Sequence, residues 1–104
     1  MPNLTNKIAL VTGGGRGIGA ATVRKLAEAG ATVVVNDLDA EEAEAVAASI
    51  PAGMAHVADL TDPTAADTLV AAAIDTYGGL DIVVNNAGYI WHSAIHNMTD
   101  EQWD

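Results

Sequence analysis

The chain has 104 residues, half of them hydrophobic and 17% charged, which suits one globular domain or part of one and excludes a disordered chain. Its net charge of -10, from 4 basic against 14 acidic residues, would repel a phosphate backbone over most of the surface, so nucleic acid is not an expected partner. Cysteine is absent, which removes disulfides and thiolate chemistry. No apolar run approaches the ~18 residues of a membrane span, and the N-terminus lacks a basic region followed by an apolar stretch, so the expected location is cytoplasmic. With two Trp, two Tyr and no Phe, the core must come from Ala, Val, Leu and Ile, which suits close layers of helix on sheet.

Lys7 to Val11 is a short apolar run and predicts the first strand. A glycine-rich turn follows, and a helical period then runs from Ile18 to Ala29, with Ile18, Thr22 or Val23, Leu26 and Ala29 on one stripe. Gly30 is the expected stop. Thr32 to Asn36 is a β-branched run ending at Asp37, the second strand. Asp39 and Glu42 read as a capping box for a second helix that buries Ala43, Val46, Ala47 and Ile50. Pro51-Ala52-Gly53 breaks it, and Met54 to Val57 is a brief third strand. Asp62-Pro63 places a cap residue before a proline at the first helical position, and the third helix buries Ala66, Leu69, Val70, Ala73 and Tyr77 before Gly78-Gly79. Asp81 to Asn85 is the fourth strand.

This β-α-β-α-β-α-β alternation predicts a Rossmann-type α/β fold: a doubly wound parallel sheet of order 3-2-1-4 with right-handed crossovers. Residues 1–104 read as a single partial domain, because Thr99-Asp100-Glu101-Gln102 is a second capping box whose helix would have barely one turn before Asp104. The expectation is a chain truncated before the second half of the sheet. Strand four then becomes an open edge carrying Ile82, Val83 and Val84, which invites pairing with a second copy, so a homo-oligomer is expected, with aggregation through the same edge as the alternative.

The chemistry concentrates where strand one gives way to helix one. Strand, glycine turn and helix N-terminus in that order make an anion cradle, since the first-turn N–H groups lack intrahelical partners and the helix dipole adds positive charge. The spacing does not fit the common dinucleotide fingerprint, which would need glycine or alanine at Ile18. It reads instead as Thr12-Gly13, three residues, Gly17, one residue, Gly19. Three more positions lie at strand ends along the carboxyl edge, where open α/β sheets bind ligands. Asp37 is placed to accept from both ribose hydroxyls of an adenosine, or is a solvated turn residue. Asp59 is placed near an adenine amino group, or caps a turn. Asn85-Asn86-Ala87-Gly88 lies beside a nicotinamide end, or Asn86 only satisfies backbone groups between strands one and four.

TGGGRGIG, the Asp59 of ADLTD and NNAG after DIVV together resemble the short-chain dehydrogenase/reductase family over the whole chain. Within it, the chain looks most like the 3-oxoacyl-acyl-carrier-protein reductase and hydroxyacyl dehydrogenase branches. The resemblance implies an oxidoreductase that moves a hydride between NAD(P) and a small carbonyl/alcohol substrate. It implies cofactor contacts from Thr12, Gly13, Gly15, Arg16, Gly17, Ile18, Gly19, Asp37, Asp59, Leu60, Asn86, Ala87 and Gly88. NAD is expected over NADP, because a 2′-phosphate would meet the Asp37 carboxylate; Arg16 pulls the other way. The family's catalytic Ser, Tyr and Lys and its helix Asn would all lie beyond Asp104. Tyr77 and Tyr89 do not substitute, since Asp81 and Ser93, not lysines, stand four residues on. No catalytic residue is therefore expected within the chain, and the alternative reading is a non-catalytic fragment that binds a nucleotide or a partner. His92 and His96 could share a helix face, but nothing completes a metal site, and no metal is expected.

Overall fold

The computed structural model describes residues 3–86. The seven elements are β1 (Ile8–Thr12), α1 (Gly17–Glu28), β2 (Thr32–Asp37), α2 (Ala40–Ala48), β3 (Gly53–Val57), α3 (Pro63–Tyr77) and β4 (Ile82–Asn85), in the alternation expected. All strand pairs are parallel and the order is β3-β2-β1-β4. Ala87 and Gly88, the second capping box at Thr99, and His92 and His96 lie outside the described residues.

Period-two alternation along the strands divides the core into two layers. Ala9, Val11, Val33 and Val35 face α1 and α2, where Ala20, Val23, Ala43 and Val46 complete a buried cluster. Ile8, Leu10 and Val34 point the other way, onto Leu60, Leu69, Val70, Ala73 and Leu80. Each layer is built from aliphatic side chains, and residues such as Leu10, Val34 and Leu69 are fully buried. The register aligns Thr12 with Asn85 and Asp37 with Val57, so the carboxyl ends of the strands form one edge. Strand β4 pairs only with β1 among the described residues, and its Ile82, Val83 and Val84 are half-buried.

Two expectations need correction. Helix α1 buries only part of the Ile18 stripe: Val23 is buried and Leu26 packs against the core, but Ile18 is 78% exposed, and Gly19 and Ala20 are buried in its place. The small residues turn inward because the start of α1 lies against the glycine turn. A Cβ on Gly19 would overlap the Gly13 carbonyl and come within 2.8 Å of Asn86 Nδ2. Apolar residues at helical spacing therefore find the middle of the buried face, at Val23 and Leu26, and miss its start.

The capping box of α2 is also only half formed. Asp39 accepts from the Glu42 N–H at 3.2 Å. The Asp39 N–H, which Glu42 would take in a closed box, donates instead to Asp37 Oδ1 at 3.2 Å. The third helix follows the sequence closely: Asp62 caps it, Pro63 opens it, and Gly78, at φ 84°, ends it with its N–H donating to the Ile74 carbonyl.

Candidate functional site

The glycine turn is fixed at three points. Gly14 N–H donates to the Asn36 carbonyl at 2.8 Å, and Gly15 N–H donates to Asp37 Oδ2 at 3.0 Å. Across the sheet, Asn86 Nδ2 donates to the Gly13 carbonyl at 3.3 Å. The turn is thereby tied to the ends of both neighbouring strands, β2 and β4. Thr12 is fully buried beneath it, with its hydroxyl 3.2 Å from Asn85 Oδ1 and 3.4 Å from the Val84 carbonyl.

Beyond the turn, α1 begins with no side chain on its own amides. Arg16 is the N-cap residue and makes no capping bond, and no acidic residue occupies the first turn. Gly17 has φ 58° and faces empty space within 4 Å of where its Cβ would stand. Only glycine takes that backbone angle without strain, and its missing side chain leaves the approach to the helix amides open. The turn and helix start thus offer unpaired donors, a positive dipole end and clearance, which is what an anionic phosphate group requires.

A cavity of about 210 Å³ adjoins this turn, lined by Gly13, Arg16, Asn36, Asp37, Leu38, Ala58 and Asn86. Asp37 is 7% exposed. Its two oxygens serve different donors, Oδ2 the turn and Oδ1 the Asp39 N–H. The carboxylate is therefore both a cavity wall and a structural pin between β1, β2 and α2. Bonds from N–H groups to a charged acceptor contribute roughly 1.5–3 kcal/mol each, enough to fix its orientation. Arg16 also lines the cavity, and its Nε lies 2.9 Å from Glu42 Oε2.

Sequence reasoning placed Gly13, Arg16, Asp37 and Asn86 together, and the cavity brings them together. Asp59 stands apart from them. It lines a neighbouring recess with His56, Asp62 and Thr64, and its Oδ1 accepts from the Thr61 hydroxyl at 2.6 Å and the Thr61 N–H at 3.0 Å. The Thr61 hydroxyl, then the Thr61 amide, hold the Asp59 carboxyl below its ordinary range against a small opposing effect of burial. Both bonds go to Oδ1, which leaves Oδ2 for an outside donor. Leu60 is buried in the α3 layer, so only its backbone can face a ligand.

Three residues lining the cavity were missed, Asn36, Leu38 and Ala58. Asn36 is buried, and its side chain bridges to β3 through the His56 carbonyl at 2.9 Å. An asparagine closing the β-branched run TVVVN was the signal, since a polar side chain there needs a buried partner. Leu38, 57% exposed, gives the cavity an apolar wall. Nothing in its sequence context separated it from an ordinary loop leucine.

Residues 7–104 match the family model described as short chain dehydrogenase. The chain belongs to the short-chain dehydrogenase family. A hydroxyacyl-CoA dehydrogenase from Mycobacterium tuberculosis is 47% identical over 111 residues, covering 98% of this chain and 35% of that protein. Among solved structures, a hydroxysteroid dehydrogenase from Escherichia coli superposes with a TM-score of 0.80 and 38% identity, over 84% of this chain and 39% of its own. A 7α-hydroxysteroid dehydrogenase complexed with NADH and 7-oxo glycochenodeoxycholic acid gives 0.77 and 37%, over 80% and 34%. The chain therefore spans between a third and two fifths of the length of these short-chain dehydrogenases, and its sheet is their Rossmann-like architecture. Nicotinamide dinucleotide binding follows from the family, and the glycine turn of this chain fits it. No helix among the described residues is long and apolar enough to cross a membrane, and no cluster of His, Cys, Asp or Glu among them could hold a metal ion.

Proposed function

We propose that this chain is the dinucleotide-binding part of an oxidoreductase that takes NAD(H) in preference to NADP(H) and exchanges a hydride with a small carbonyl/alcohol pair. The observation that carries the reading is the pairing of an uncapped α1 N-terminus with the buried Asp37 across one cavity. The pyrophosphate would lie over Gly13 to Gly19, held by the first-turn amides of α1. The adenosine ribose would lie against Asp37, with Leu38 and Ala58 beside the base. Asn86, with Ala87 and Gly88 after it, would stand toward the nicotinamide end. When bound, the dinucleotide supplies or accepts the hydride; the residues of this chain bind and orient it.

Asp37 underlies the preference for NAD(H). A phosphate brought to ~4 Å from a carboxylate costs on the order of 4 kcal/mol at an effective dielectric of 20. Backbone donors already bound to Asp37, and solvent at the cavity mouth, reduce this to about 1–2 kcal/mol, or tenfold or more in affinity. Titrating NADH and NADPH separately against the full-length protein, by calorimetry or by quenching of Trp fluorescence, tests this. Tighter NADH binding is expected. Tighter NADPH binding would overturn the preference, and absence of binding by either would overturn the nucleotide reading itself.

Residues 1–104 would supply the cofactor-binding part of such an enzyme. Neither tyrosine has a lysine four residues on, so the chain holds no tyrosine–lysine pair to move a proton at a carbonyl. The general acid/base would come from the length that the relatives have and this chain does not span.

A further inference from the structure

Glu42 has a carboxylate that the fold does not use. The third residue of α2, it gives its N–H to the Asp39 cap, but its side chain is absent from the capping box because the Asp39 N–H is taken by Asp37. Its Oε2 is covered, with no well-aligned hydrogen bond, and lies 2.9 Å from Arg16 Nε. The contact is a close ion pair, with the Arg16 side chain still 67% exposed. Pairs this exposed contribute little to stability, so it needs another reason to matter. Arg16 is the only cation lining the cavity among the described residues.

We propose that Glu42 is a positioning residue for cofactor choice: it engages Arg16 and so withholds from the adenosine cavity the one guanidinium that would reward a 2′-phosphate. This rests on the reading of the cavity as an adenosine site. The two nicotinamide dinucleotides differ at the ribose 2′ position, a hydroxyl in one and a phosphate in the other. Asp37 acts on that position directly, by accepting from a hydroxyl and repelling a phosphate. Glu42 acts on it through Arg16. With Glu42 in place, the Arg16 guanidinium is held by a carboxylate 2.9 Å from its Nε. An unpaired arginine would be free to turn its planar donor fork toward the phosphate oxygens.

Glu42→Gln keeps the shape and the backbone N–H that Asp39 caps, and removes the charge. Binding of NADH and of NADPH to the full-length protein is measured for the native chain, Glu42→Gln, Arg16→Gln and the double variant, with thermal melts alongside. Glu42→Gln should raise NADPH affinity on the order of fivefold, the upper end for an exposed ion pair, while NADH affinity moves less than about twofold. In the Arg16→Gln background the same substitution should leave the ratio unchanged. A general weakening of the fold would move both cofactors together, so the ratio separates positioning from a structural effect. An unchanged ratio in Glu42→Gln overturns the inference, and so does a shift that persists without Arg16, since Glu42 would then act by its own charge. If the native protein binds neither cofactor, the adenosine reading fails first; if it binds NADH and the ratio stays fixed, only the role of Glu42 fails.

Discussion

Helices α1 and α3 both start at the carboxyl edge of one sheet, yet their first turns are opposite in chemistry. Asp62 caps α3 by accepting from the Thr64 N–H at 2.9 Å, with Pro63 at the first helical position. One turn earlier, Asp59 accepts from Thr61 twice. The α3 start is thereby satisfied by its own carboxylates and presents negative charge outward. Helix α1 has no side-chain cap and no first-turn acid, and glycines surround it. Helix α2 sides with α3, since Asp39 caps it and Glu41 and Glu42 follow. A helix N-terminus attracts anions only while its amides are free. Of the three, only α1 keeps them so, which is why the phosphate site is proposed there.

The largest way to break this contrast is at Gly19. Gly19→Ala drives a Cβ into the Gly13 carbonyl, so the turn must move off α1. Overpacking of this kind costs about 1–3 kcal/mol, and the displaced amides should lose more than about tenfold in NADH affinity. Calorimetric titration and a thermal melt on the full-length protein check both. Retention of native affinity would mean that the turn geometry is not what holds the dinucleotide.

A smaller effect sharpens the contrast from the other side. Asp62→Ala removes the cap of α3 and should cost about 1 kcal/mol of stability, with cofactor affinity unchanged. Arg16→Ala, at the matching position of α1, removes no cap and should move stability by less than about 0.5 kcal/mol. Denaturant melts compare the two. Equal losses would show that the α1 start depends on a side chain after all.

The smallest effect is in the titration of Asp59. Its carboxyl is held below its ordinary range by Thr61, the hydroxyl first. A carboxyl with a depressed folded value contributes stability that is present above its unfolded value, about pH 4, and is lost as pH falls through the lower folded value. Thr61→Val deletes the hydroxyl bond and should shift the Asp59 midpoint upward in a side-chain NMR titration, with a small loss of stability at neutral pH that fades as pH falls below the folded value. A midpoint that does not move would mean that the bond is not formed in solution.

From the sequence alone came the alternation of strands and helices, the order 3-2-1-4, the caps at Asp39 and Asp62, and the glycine turn. These are local signals: β-branched runs, cap residues beside prolines, and glycines where a chain must turn sharply. Tertiary structure decided what the first turn of α1 buries, because Gly19 had to meet a carbonyl from the preceding turn. It also decided what each carboxylate does. Asp37 took donors from Gly15 and Asp39, Asp59 spent itself on Thr61, and Glu42 was left to Arg16, a residue 26 positions earlier. A carboxylate chooses among whatever donors surround it, and loops distant in sequence supply those donors only after the sheet has brought the ends of its strands to one edge.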